Sequence, residues 1–149
     1  MAITGLQRDS NRALVDAALL GAAAGMRTVL PLSAWSLKRS NRRALRIPVA
    51  IASLGELTYD KQSWAASRTV GPPLFARLGS GALLGVLSAR RFGASPWLGA
   101  ATGAVAALAG TFFFHRLRVE AAKRVSPVAA AIGEDLLAAG LSAAAVRTL

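Results

Sequence analysis

The stretch from Pro96 to Phe114, PWLGAATGAVAALAGTFFF, decides the reading of the whole chain. It carries no charged residue, and a helix needs about 20 apolar residues to cross the hydrocarbon core of a bilayer. Gly99, Gly103, Ala106 and Gly110 recur at helical spacing and draw a stripe of small residues along it. Such a stripe lets a second backbone come close, which is how helices associate where water cannot drive them together. Phe112, Phe113 and Phe114 close the run where a membrane interface is expected.

Working outward, four further segments share this character. The first runs from Ala13 to about Leu37 and holds Asp16, Arg27 and a GxxxG pair, Gly21 and Gly25. Asp16 and Arg27 lie close to three helical turns apart and share a face. The second, Ile47 to about Tyr59, is short for a span and ends in Gly55, Glu56, Asp60 and Lys61. Gln62 to Pro73 reads as a loop. The third segment, about Pro73 to Ala89, carries Arg77 and a second GxxxG pair, Gly81 and Gly85. The last, Pro127 to Val146, is alanine-rich and carries Glu134 and Asp135.

Composition agrees with an all-α integral membrane helical bundle forming one domain, residues 1–149. Apolar residues make up 54%, charged residues 17% and aromatics 6%, with a mean hydropathy of +0.44. A soluble domain has about 25% charged residues. Without cysteine there are no disulfides or thiolate metal sites. The net charge of +11 sits at the ends of apolar runs, and no aromatic-studded basic face accompanies it. That pattern excludes nucleic-acid binding and fits topology signals and anionic lipid headgroups. The expected location is the inner (plasma) membrane, crossed several times. Asp16 and Arg27 argue against a cleaved N-terminal signal.

Two topologies stay open, with four or five transmembrane helices. If the second segment is re-entrant, twelve basic residues (Lys38, Arg39, Arg42, Arg43, Arg46, Lys61, Arg68, Arg77, Arg116, Arg118, Lys123, Arg124) face the cytoplasm against five (Arg8, Arg12, Arg90, Arg91, Arg147) outside. Five full crossings divide them more evenly, so charge favours four. An internal duplication bears on the same question. A shift of 78 positions lays Gly21 on Gly99, Gly25 on Gly103, Arg46 on Arg124, and Gly55-Glu56 on Gly133-Glu134. The halves, residues 13–61 and 91–139, are parallel with a re-entrant segment and inverted with five crossings. Internal repeats are a recurrent transporter feature.

These residues resemble a family of small bacterial membrane proteins, the domain of unknown function 4126 family. The resemblance lies in Gly21-Ala-Ala-Ala-Gly25-Met-Arg27-Thr28 with Pro31, Gly55-Glu56 with Asp60-Lys61, Ser67-Arg68-Thr69 with Pro72 or Pro73 and Arg77, Gly81-Ala82, and Glu134-Asp135. Gln62 to Ala66 lacks the prolines of that family's pattern. The resemblance implies a multi-spanning membrane protein and brings no activity with it.

Charge inside a bilayer costs about 2.5–3.5 kcal/mol per residue on insertion scales. The candidate binding residues are therefore the ionisable ones: Arg27, Glu56, Asp60, Lys61, Arg68, Arg77, Glu134 and Asp135. Asp16, Lys61 and Arg77 are expected near helix ends, where they can reach the interface. Arg27 is expected within salt-bridge or one-water reach of Glu56, Asp60 or Glu134, either as a brace or as a site for an ion, a proton or an anionic headgroup. Gly55 and Gly133 are expected to admit a neighbouring backbone beside each glutamate. Gly21, Gly25, Gly81, Gly85, Gly99, Gly103 and Gly110 are read as helix-packing positions. No catalytic motif, metal-ligand set or cofactor motif is present. The leading expectation is a small transporter or channel-like protein. The alternative is a structural or assembly subunit, in a homo-oligomer or a larger membrane complex. A lipid-active enzyme, with Glu56 and Asp60 holding a divalent cation, is the weakest reading.

Overall fold

Prolines and short polar residues mark where the helices start. The computed structural model describes residues 2–39, 69 and 71–147. Among them the chain is all-α, with five helices: α1 Ala2–Met26, α2 Leu30–Arg39, α3 Pro72–Arg91, α4 Pro96–Ala121 and α5 Pro127–Arg147. Proline suits a first helical turn, where its missing N–H has no intrahelical partner to lose. Gly71, just before Pro72, has φ 68°, a left-handed value that a side chain would resist. Ser126 caps α5: its hydroxyl accepts a hydrogen bond from the Ala129 N–H at 3.2 Å. The short link from α3 to α4 turns at Gly93, φ 65°, while the Ala94 N–H closes back onto the Ala89 carbonyl at 2.9 Å. The second expected segment, 47–59, and residues 40–46 lie outside the described residues.

Three boundaries differ from the sequence reading. Helix α1 starts at Ala2, not Ala13, because Arg8 to Arg12 continues the helix although it is polar. Asp16 is therefore mid-helix and 2% exposed, not at an end. The first segment is also not one helix to Leu37. It breaks after Met26 and resumes at Leu30. Pro31 explains the break, since it has no N–H for the Arg27 carbonyl and its ring would collide with it. Finally, α4 runs to Ala121, past the expected end at Phe114 and through residues expected in a loop. Arg116, Leu117, Arg118 and Glu120 are good helix formers, so apolarity ends there and the helix does not.

The glycines fix how the helices lie. An added Cβ at Gly85 would strike the Gly99 carbonyl, and one at Gly81 would meet the Gly103 carbonyl at 2.5 Å. As the number rises on α3 it falls on α4, so the two are antiparallel. Gly21 meets Gly103, and Gly25 meets the Ala107 carbonyl. There both numbers rise together, so α1 and α4 run parallel. Gly110 adds a contact with the Ala22 carbonyl at 2.7 Å. Helix α4 is thus the hub, with one small face on α3 and another on α1. Helix α5 lies mainly on α1 and α2 and only lightly on α4.

Hydroxyl groups tie the same helices together. The Ser88 hydroxyl donates to the Ala13 carbonyl at 3.1 Å, and Thr111 lies 3.2 Å from the Gly25 carbonyl. Ser80 donates to the Thr28 carbonyl at 2.7 Å, filling one of the acceptors freed by the break after α1. Ser80→Ala is expected to cost about 1 kcal/mol, read as a lowered melting temperature. An unchanged melting temperature would mean that the freed carbonyl has another donor.

The interior is built of small residues. Ala13, Ala17, Ala23, Ala24, Ala107 and Ala138 are buried, with Leu20 and Leu84 the largest buried aliphatics. Large apolar side chains face outward: Trp97 is 84% exposed, Phe75 70%, Leu136 68% and Val105 66%. Among the described residues two helices, Pro96–Ala121 and Val128–Arg147, are long and apolar enough to cross a membrane.

Candidate functional site

The buried charges gather where α1 ends and α5 completes its second turn. Arg27 sits just past α1, in the break that Pro31 enforces, and is 1% exposed. Its Nε donates to Asp135 Oδ1 at 2.6 Å, and Nη2 meets the same oxygen. Two donors of one guanidinium thus converge on one carboxylate, a strong charge-assisted arrangement. The neighbouring Glu134, 6% exposed, takes Arg118 of α4 at 3.2 Å. Adjacent positions on a helix point about 100° apart, so Glu134 and Asp135 clamp α5 to α4 on one side and to the end of α1 on the other.

Of the three expected partners of Arg27, Glu134 is engaged by Arg118 while Arg27 meets the adjacent Asp135, and Glu56 and Asp60 lie outside the described residues. Residue Asp135 was a candidate from sequence, but its specific role needed Arg118 to be helical and within reach. Nor does Gly133 admit a neighbouring backbone: a Cβ there would meet nothing within 4 Å. Arg77, expected to reach the interface, is 4% exposed, with Nη1 3.5 Å from the Pro73 carbonyl. The remaining candidates Glu56, Asp60, Lys61 and Arg68 lie outside the described residues, as does Gly55 and with it one Gly-Glu pair of the duplication. What the described residues show of the repeat is one glycine helix from each half, α1 and α4, which lie parallel, and the Gly133-Glu134 pair of the second half.

Beside the clamp is a groove between the C-terminal half of α4 and the N-terminal half of α5. Its volume is about 590 Å³, and Phe114, Leu117, Ala121, Val125, Ala129, Gly133 and Leu137 line it together with Arg118 and Glu134. Neither Arg27 nor Asp135 contributes to its wall. Among the described residues no three His, Cys, Asp or Glu side chains come together as a metal site. The arrangement can lock helices and can hold an amphiphile against an ion pair; it presents no nucleophile poised beside a base. Comparison with protein-family models, with curated proteins and with solved structures finds no match to this chain.

Proposed function

We propose that this chain is a multi-spanning membrane protein whose buried charges brace its helices, a structural or assembly subunit. The observation that carries the reading is the closed state of the clamp. Arg27 is 1% exposed and bonded to Asp135, and the neighbouring acid is bonded to Arg118. The membrane part is supported by the inside-out distribution of size. Small residues fill the interior while Trp97, Phe75, Phe113 and Leu136 face out. In water, so much contiguous apolar surface would drive association; in lipid it is the expected exterior, with backbone contact supplying cohesion. The parallel course of α1 and α4 supports four crossings, because it puts the end of α1 and the start of α3 on one side. On this reading the resemblance to the domain of unknown function 4126 family has a physical basis: two of its motifs, Gly21 to Thr28 and Glu134-Asp135, meet in the clamp.

A small transporter or channel-like protein is the second reading, and one observation favours it: the groove reaches Glu134. Thiol labelling separates the two, because the chain has no cysteine of its own. Single cysteines at Gly93 and Arg124 are expected to react with a membrane-impermeant reagent from opposite sides. Cysteines at Ala131 and Ala138, which flank the clamp and are 5% and 0% exposed, are expected to stay unlabelled until the protein is denatured. Rapid labelling of both would mean water beside the clamp and would replace the brace with a transport path. Labelling of Gly93 and Arg124 from one side only would remove the spanning topology.

A further inference from the structure

We infer that the groove between α4 and α5 is a binding site for one acyl chain of an anionic phospholipid, with the headgroup held at the basic turn that joins the two helices. The inference rests on the membrane reading above. The groove is apolar along most of its wall, and at about 590 Å³ it falls within the roughly 300–1,000 Å³ usual for small-molecule sites. Its floor includes Gly133, where a side chain would meet nothing within 4 Å, so this part of the groove is unfilled. Every glycine pair at the α1, α3 and α4 crossings, in contrast, touches backbone.

Charge selects the headgroup. The groove runs up to Ala121 and Val125, and the turn there carries Lys123 and Arg124, both exposed; Lys123 is balanced by Glu120 at 2.6 Å, so Arg124 supplies the net positive charge. Arg118, 27% exposed, lies in the groove wall itself. Arg118 and Glu134, 3.2 Å apart, offset each other, so the pair leaves the choice of headgroup to the turn. The start of α5, with the positive end of its helix dipole, faces the same turn. A zwitterionic headgroup would gain little from this surface. An anionic phosphate gains the attraction of each basic residue near it.

The test uses the full chain purified in mild detergent. Phosphatidylglycerol, added in mixed micelles, is expected to raise the melting temperature above that in phosphatidylcholine and to be retained about fivefold more, the factor that one basic residue near an anionic surface supplies. Inorganic phosphate alone is expected to give no shift. Gly133→Phe should fill the groove, keep the melting temperature measured in phosphatidylcholine, and lose the added stabilisation. Ala129→Leu, a smaller intrusion into the same wall, should lose part of it. Lys123→Gln with Arg124→Gln should lose the preference between the two lipids while leaving the groove open. Equal stabilisation by the two lipids, an equal shift from phosphate, or full retention of the preference in Gly133→Phe would overturn the site. So would a disulfide between Gly133→Cys and Ile51→Cys, which would seat the chain's own segment there. Failure of the membrane reading looks different: the chain would then be recovered without detergent.

Discussion

Asp135→Leu is expected to destabilise the protein by about 3 kcal/mol, the lower end of the range for breaking a buried ion pair. The lower end applies because Asp135 is 23% exposed while Arg27 is 1% exposed. Most of the loss comes from Arg27, which keeps its charge and its burial when its α5 partner is gone. Removing both charges, as in Arg27→Met with Asp135→Leu, should therefore recover much of the stability, since apolar groups of similar volume can replace a buried pair at little cost. Glu120→Ala breaks a pair with Lys123 in which both side chains are more than half exposed, and should change stability by less than about 1 kcal/mol. Melting in detergent, measured across these four proteins, checks the ordering. A double variant weaker than Asp135→Leu would mean that Arg27 does not depend on Asp135.

Gly103→Leu should have the second large effect. The Gly103 carbonyl lies against both Gly21 and Gly81, and a Cβ at Gly103 would enter the Gly81 carbonyl. Overpacking usually costs about 1–3 kcal/mol when side chains can move aside. Here the obstacle is the α3 backbone at Gly81 and Gly85, so relief requires α4 to separate from α3. The variant is expected to lose more than about 3 kcal/mol or to fail to accumulate, because whole-helix displacement exceeds that side-chain range. Gly140→Leu is the matched control. Nothing lies within 4 Å of its Cβ position, and replacing a helical glycine gains up to about 1 kcal/mol. Equal losses at the two positions would mean that helix propensity, not close approach, governs these glycines.

Much of the helical layout was legible in the sequence because its signals are local. Prolines 96 and 127 open helices as expected, α3 opens at Pro72, one residue before the expected Pro73, and the glycine pairs on α1, α3 and α4 face other helices. What was not legible depends on geometry that hydropathy does not carry. A drop in apolarity after Phe114 marked a change of surroundings, and α4 continues through it to Ala121. That extra stretch is what supplies Arg118. With α4 ended at Phe114, Glu134 looked free for Arg27; once Arg118 occupies Glu134, the adjacent carboxylate, turned about 100° around the helix, is the one that meets Arg27. The break at Arg27 follows from Pro31, a local signal that lies within a mainly apolar run.

The parallel seating of α1 on α4 also sets an order of events during synthesis. Helices α3 and α4 are joined by a tight turn and can pair as soon as both have emerged. Helix α1 is made first, yet about eighty residues separate Gly21 from Gly103, so at about 5–20 residues per second its main partner follows only after roughly 4–16 s. Through that interval the glycine notches of α1 at Gly21 and Gly25 wait for the α4 backbone that fills them, and α1 is not among the helices apolar enough to cross a bilayer unaided. On the proposed membrane reading, its commitment to the bilayer is then a delayed step, completed when the nascent α3–α4 hairpin arrives, and a ribosome stalled before Pro96 should leave α1 extractable.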